Sequence, residues 1–157
     1  ELLIQFGGHK FAAGLTMQRE NVDAFRQKFD EVVSARISDH HLVPEIEIDA
    51  QLELSDITPR FFSILQQMAP FGPDNMKPVF LTRGAVDSGW SKIVKEDHVK
   101  FSLRTQGQGF MNGIGFGLAP KFNVVKGGAF DLVYQLAENE WQGNVSLQLV
   151  VKDLLPQ

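Results

Sequence analysis

Gly7-Gly8-His9-Lys10 is the first group of residues here with chemistry in reach. Adjacent glycines allow positive φ and let the backbone come close to a ligand. Successive N–H groups in such a turn can surround an anion. His9 adds a side chain that can donate to a phosphate, and Lys10 adds a fixed positive charge. The small residues Ala12, Ala13 and Gly14 permit tight packing behind the turn. The group reads as a phosphate-recognition turn, the alternative being a structural hydrogen bond from His9. Asp39-His40-His41 is a second group, able in principle to hold a metal ion. It stands just before Pro44 on what reads as an extended segment, where neighbouring side chains point to opposite sides. It is therefore expected to be a polar linker. A third group, Trp90, Lys92, Lys95, Lys100 and Arg104, shares one segment with Ser91 and His98. An exposed Trp offers a ring on which a nucleobase stacks, worth about 1–3 kcal/mol per base, while the cations track phosphates. Closing the end of a core is the other use for Trp90. Trp141, on a turn, has fewer structural uses. No Ser-His-Asp set, carboxylate dyad or metal-ligand spacing completes an active site.

The charge distribution supports the third group. The 157 residues carry a net charge of −4, yet residues 76–126 hold 8 Lys/Arg against 3 Asp/Glu. A basic stretch inside an acidic chain is the footprint of a polyanion surface. Residues 46–75 (1 against 5) and 127–157 (1 against 4) are acidic. No apolar run is long enough to span a membrane. There are no cysteines, so disulfides and thiolate metal sites are excluded. Their absence fits a reducing cytoplasm. The chain opens Glu-Leu-Leu without Met or a signal peptide, and is expected to be cut from a longer protein.

These groups need elements to hold them. Ala13–Met17 reads as a short strand leaving the glycine turn. Asn21 is expected to cap a helix whose stripe is Val22, Phe25, Phe29, Val32, Val33 and Ile37, ending near Ser38. Pro44 marks a boundary, and 45–54 alternates like a half-buried strand. Thr58 and Pro59 start a helix with Phe61, Ile64, Leu65 and Met68 on its buried face. Strands are expected at 78–86, 99–105, 110–118, 130–136 and 145–151, with Gly107-Gln108-Gly109 and residues 138–144 as turns. Phe110 and Phe116 are expected in the core. Gly113, Gly115 and Gly117 lie within a strand pattern and read as bends in a barrel, since no helix follows to make a dinucleotide loop. Many short strands with one helix argue for a small Greek-key barrel of the OB type.

Gly7–Gly14 resembles the GGHxxAAG signature of the DHH-associated domain, the substrate-binding partner of DHH-family phosphoesterases. Pro70-Phe71-Gly72-Pro73-Asp74-Asn75-Met76-Lys77-Pro78-Val79-Phe80 resembles the PFGxGNPxPxF loop of RecJ-type single-strand exonucleases, with Asp74 for a Gly and Met76 for a Pro. Asn139-Glu140-Trp141-Gln142-Gly143 and Ser146–Asp153 resemble that family's NEWNG…SLQLxVKD ending, with Gln142 for Asn. The resemblance implies an α+β chain: residues 1–43 end a DHH-associated α/β domain, and residues 44–157 form an OB-like barrel. It implies that Gly7, Gly8 and His9 contact a substrate phosphate, and the charge of Lys10 makes it a candidate beside them. It also implies single-strand grip, for which the chemistry of Trp90, Lys92, Lys95, Lys100, Arg104 and Trp141 makes them the candidates. The implied parent degrades single-stranded DNA 5′ to 3′ in bacterial recombination and repair. Its Mn²⁺ or Mg²⁺ would be held by a separate DHH domain, so this portion is expected to be inactive alone. Asp39-His40-His41 spells that domain's motif but falls after the GGHxxAAG string, where the family does not carry it. Single-strand-binding protein is the protein partner to consider. The alternatives are another DHH-family oligonucleotide phosphodiesterase and a noncatalytic protein-interaction module.

Overall fold

A computed structural model describes residues 2–9, 11–107 and 109–157. The chain divides into two compact units, Glu1–Ile46 and Glu47–Gln157.

In the first unit β1 (Gln5–His9) and β2 (Ala12–Thr16) form an antiparallel hairpin, followed by α1 (Val22–Ser34). The glycines are not in a turn, as their sequence suggested. Gly7 and Gly8 lie in β1 opposite Gly14 and Ala13, and neither has positive φ. Their use is close approach: a Cβ on Gly8 would stand 2.6 Å from Ala13 Cα and 2.6 Å from the Ala12 carbonyl oxygen. Helix α1 begins near the expected place, but the Asn21 side chain donates to the Leu2 carbonyl (3.3 Å) instead of capping. Phe25 and Phe29 stack at 5.6 Å. The stripe expected as core is not buried, and Phe29, Val32 and Ile37 are exposed. One hairpin and one helix supply no second layer to cover it.

The second unit is a closed barrel. Its sheet runs β3 (Ala50–Gln51), β4 (Phe80–Ala85), β8 (Phe130–Trp141), β9 (Asn144–Pro156), β7 (Phe110–Gly115), β6 (His98–Arg104), β5 (Lys92–Val94). β4 and β5 are two parts of one stretch of chain. Between them Arg104 N donates to Val86 O and Ser88 N to Ser102 O, each at 2.9 Å, which joins the β4 end of the order to β6. With β7 parallel to β9 and a helix, α3 (Phe122–Lys126), between β7 and β8, this is the connectivity of an OB fold. Val99, Phe101 and Leu103 of β6, Phe130, Leu132, Tyr134 and Leu136 of β8, and Leu149 of β9 fill the interior. Each such side chain contributes about 1.5–3 kcal/mol by leaving water. The β8–β9 register slips at Val133/Tyr134. The extra residue changes the parity of β9, so Leu149, Val151 and then Leu154 all face inward.

α2 (Pro59–Gln66) packs against the core through Phe62, with Phe61 and Leu65 partly buried. Thr58 Oγ1 accepts the Phe61 N–H at 3.1 Å, the expected cap. Phe62 carries the burial, while Ile64 and Met68 stay exposed, because a helix of 8 residues meets the barrel along only two turns. The expected strand over 45–54 shrinks to Ala50–Gln51, parallel to β4, with Ile46 and Ile48 exposed. β5 and α3, with 3 and 5 residues, are too short to show a period and were not expected.

The loop before β4 is pinned by Asn75, whose Nδ2 donates to the Met68 and Pro70 carbonyls at 2.9 Å each. Gly72 and Asn75 exchange backbone bonds around Pro73-Asp74, and Asp74 has φ 64. A residue with a Cβ is disfavoured there, which explains the family's Gly. Asp74→Gly is therefore expected to stabilise the fold by about 0.5–1 kcal/mol. A melting temperature unchanged or lowered would contradict this account of the turn.

Candidate nucleic-acid interface

The face of β5, β6 and β7 follows from strand parity. Val99, Phe101 and Leu103 point inward, as do Met111, Gly113 and Gly115. Lys100, Ser102 and Arg104, with Phe110, Asn112 and Ile114, therefore face outward. The register places Lys92 beside Lys100, Lys100 beside Ile114, and Arg104 beside Phe110. Lys95 stands on the β5–β6 turn, where it and Glu96 take positive φ (49° and 65°).

Trp90 is held out by its neighbour. Ser91 is buried; its Oγ accepts the Ser102 N–H at 2.9 Å, and its N–H donates to Asp87 Oδ1 at 3.2 Å. With Ser91 turned inward, Trp90 turns outward and is 77% exposed. Trp141 ends β8 opposite Asn144, across a two-residue turn in which Gln142 and Gly143 have φ 50° and 78°. Both values suit a type I′ hairpin. The turn is tighter than the expected 138–144, since both strands run to its edge. Tyr134 and Leu136 point inward, so Trp141 lies on the outer side of the sheet and is 70% exposed. Because β9 runs parallel to β7 (Gly113 beside Leu149), the hairpin tip extends toward the β7 end that carries Phe110.

Ion pairs sort the cations of this unit. Arg83 pairs with Asp131 (3.0 Å), Lys126 with Asp87 (2.8 Å) and Lys121 with Asp153. Burial pushes the Asp87 carboxyl up, but bonds from Lys126, Ser91 and Gly89 outweigh it and hold it below the ordinary carboxylate range. Lys92, Lys95, Lys100 and Arg104 have no such partner among the described residues. Their charge is left to the solvent face, where it can meet phosphates.

Phe110 is the residue that sequence reasoning missed. It is 61% exposed, next to Arg104, and Phe116 is likewise exposed, edge-on to His98 (5.2 Å). β7 misleads because two of its three inward positions, Gly113 and Gly115, are glycines. A Cβ on Gly115 would stand 2.6 Å from Leu118 Cδ1 and 2.9 Å from Phe101 Cε2. The core volume comes from Phe101 and Leu118, and the bulky residues of β7 face out. Gly113 and Gly115, neither with positive φ, make room for the core, whereas Gly117, just past the strand, has φ 69° and turns the chain.

In the first unit His9 Nδ1 accepts the Phe11 N–H at 3.3 Å, which leaves the ring proton on exposed Nε2, a donor. Lys10 lies outside the described residues. The hairpin gives two different glycine tests. Gly7 has nothing within 4 Å of a built Cβ, whereas Gly8 meets backbone. Gly8→Ala is expected to cost about 1–3 kcal/mol by overpacking. Gly7→Ala is expected to leave thermal unfolding unchanged, so any loss of phosphate binding in that variant reports a ligand approaching the backbone. Equal melting of the two variants would contradict the geometry.

Asp39-His40-His41 is not extended. It forms a 3₁₀ turn, Asp39–Leu42, that brings the His40 and His41 rings to 3.9 Å. Ser38 Oγ lies 2.9 Å from His40 Nδ1 and 2.7 Å from His41 Nδ1. A turn of three residues per revolution does not send neighbours to opposite sides. Among the described residues no group of three or more His, Asp or Glu is arranged to hold a metal ion, and no helix is long and apolar enough to cross a membrane.

Comparison with known proteins carries these features to a family. Over 155 residues the chain is 30% identical to the single-stranded-DNA-specific exonuclease RecJ of Bacillus subtilis, covering 98% of this chain and 20% of that protein. It is 30% identical over 160 residues to RecJ of Salmonella typhimurium, covering 99% and 27%. The chain thus spans about a fifth to a quarter of these relatives. The crystal structure of RecJ in complex with Mn²⁺ from Thermus thermophilus shares the fold, with a TM-score of 0.75 at 24% identity, over 99% of this chain and 22% of that one. The RecJ OB domain family matches residues 48–153. That match takes in the barrel, its exposed tryptophans and the Phe71 loop, and the chain belongs to the RecJ OB domain family.

Proposed function

We propose that this chain is the strand-gripping portion of a RecJ-type 5′-to-3′ exonuclease of recombination and repair. The observation that carries the reading is the outer face of β5–β7. Lys92, Lys100 and Arg104 stand there without ion-pair partners among the described residues, beside exposed Phe110 and close in sequence to exposed Trp90. Cations spaced along strands follow a phosphate backbone, and aromatic rings between them stack bases. A duplex hides its base faces and cannot use the rings. Lys95 and Trp141 extend the same grip at two turns. In the first unit Gly7, Gly8, His9 and Lys10 would take one phosphate of the same substrate, with Gly7 open to approach and His9 Nε2 donating. Residues 1–43 would then belong to a DHH-associated domain and 44–157 to the OB domain.

Hydrolysis would need Mn²⁺ or Mg²⁺ on ligands outside this stretch, so the 157-residue chain should bind without cleaving. Single-strand-binding protein is the partner such an enzyme would meet on its substrate in a bacterial cytoplasm. Fluorescence anisotropy with a labelled oligonucleotide, single-stranded and duplex, tests the reading. Single strand should bind more tightly, and log K should fall with log salt at about −0.7 per phosphate neutralised. Equal duplex binding, or no salt dependence, would contradict it.

A further inference from the structure

Where residues 84–86 close against the end of β6, a cavity of about 350 Å³ opens, lined by Glu53, Thr82, Gly84, Arg104, Thr105 and Gln106 among others. A second, of about 320 Å³, is lined by Ser88, Arg104, Thr105 and Phe110. Arg104 and Thr105 line both, so the two hollows adjoin at these residues. Each is near the lower end of the range for small-ligand sites, about 300–1,000 Å³.

The chemistry of the two differs. The Phe110 side offers an aromatic face and a cation, Arg104, with no ion-pair partner among the described residues. The seam cavity offers the Glu53 carboxylate, which only accepts hydrogen bonds, with the Thr105 hydroxyl and the Gln106 amide. Glu53 opens the 3₁₀ turn Leu54–Asp56 with a capping box: its main-chain N–H donates to Asp56 Oδ2 (3.1 Å) and its carboxylate meets the Asp56 N–H, which leaves its remaining lone pairs to accept from a ligand. Arg83, also on the rim, is engaged by Asp131 at 3.0 Å. Arg104 is thus the open cation of the pair. A carboxylate repels phosphate, so the group that enters beside Glu53 is a base. A carboxylate accepts from an exocyclic amino group, as Glu does from cytosine N4, and thymine has no such group.

We infer that the seam cavity receives one unstacked, amino-bearing base of the bound strand, cytosine in preference to thymine, while Arg104 holds the adjoining phosphate and Phe110 stacks the neighbouring base. This rests on the single-strand reading above and adds a base preference to it at one position.

The test is competition binding to the 157-residue chain by short oligothymidylates carrying a single cytosine, moved stepwise along the strand. At one position cytosine should tighten binding roughly fivefold to tenfold, within the range of a good base contact. Glu53→Gln replaces the acceptor with an amide that can also donate to thymine O4, and should abolish or reverse that preference; its amide oxygen can still accept the Asp56 N–H of the capping box, so the melting temperature should change little. Glu53→Ala should abolish it. A wild-type chain that grips every oligonucleotide equally would overturn the base pocket and leave the grip standing. So would a preference that survives in both Glu53 variants. No single-strand binding at all would overturn both.

Discussion

Reversing two charges on the barrel face, Lys100→Glu together with Arg104→Glu, should weaken binding of single-stranded DNA by about a hundredfold at low salt, since each reversal removes a phosphate contact and adds a repulsion. The melting temperature should not change, because both side chains face outward and pair with no carboxylate among the described residues. The control is Lys126→Gln. Lys126 is also a cation of the basic segment, but it is engaged by Asp87 at 2.8 Å. Its loss should lower stability and leave binding within about twofold, the scale of a distant screened charge. If the two sets of variants weakened binding alike, net charge and not this face would hold the strand.

The second large effect concerns the only tyrosine of the chain. Tyr134 is fully buried in the barrel. Thr82 Oγ1 donates to the Leu52 carbonyl at 2.8 Å, so the Tyr134 hydroxyl, 2.9 Å away, donates to Thr82. That relay ties β8 and β4 to the segment just after β3. Burial pushes the Tyr134 hydroxyl from 10.0 up to about 12, and the charges of Asp56 and Glu53 add to the shift. The folded state thus holds the proton more tightly than the unfolded one. The stability due to it is fully present below pH 10 and is lost as pH rises toward 12. At about 1.4 kcal/mol per unit the loss amounts to roughly 2–3 kcal/mol. Tyrosinate absorbance of the native protein should stay flat through pH 10, while denatured chain titrates there. Tyr134→Phe should remove this alkaline sensitivity and cost about 1 kcal/mol at neutral pH for the lost hydrogen bond. A native tyrosine that ionises near 10 would mean an open barrel.

Parts of this molecule are legible in its sequence for clear reasons. Phe130, Leu132, Tyr134 and Leu136 alternate because one face of β8 is core and the other is solvent. Thr58-Pro59 announces α2 because an acceptor side chain and a residue without N–H suit the first turn. Lys92, Lys100 and Arg104 appear in the sequence only as members of one basic segment, and they share a face because the register sets Lys92 beside Lys100 and the parity of β6 turns Lys100 and Arg104 the same way. Other parts are hidden by the same logic. β7 carries its bulk outward and its glycines inward, so Phe110 passes for a core residue. Gly7-Gly8 suggests a turn, whereas the hairpin needs Gly8 for want of space and Gly7 for no contact within the fold. The α1 stripe is evident, but what would cover it cannot be read from its period. Gln142 and Asp74 both occupy positive-φ positions that the family fills with Asn and Gly, and only backbone geometry shows why.

The central claim is that the outer face of β5–β7 holds single-stranded DNA. The most direct measurement is a titration of isotope-labelled protein with a short oligothymidylate, followed by NMR amide and side-chain shifts. Perturbations should centre on Lys92, Lys100, Arg104 and Phe110 and extend to the indole signals of Trp90 and Trp141. The amides of α2 and of the loop around Phe71 should stay still. Shifts confined to α2 and that loop, with β6 and β7 unmoved, would contradict the claim.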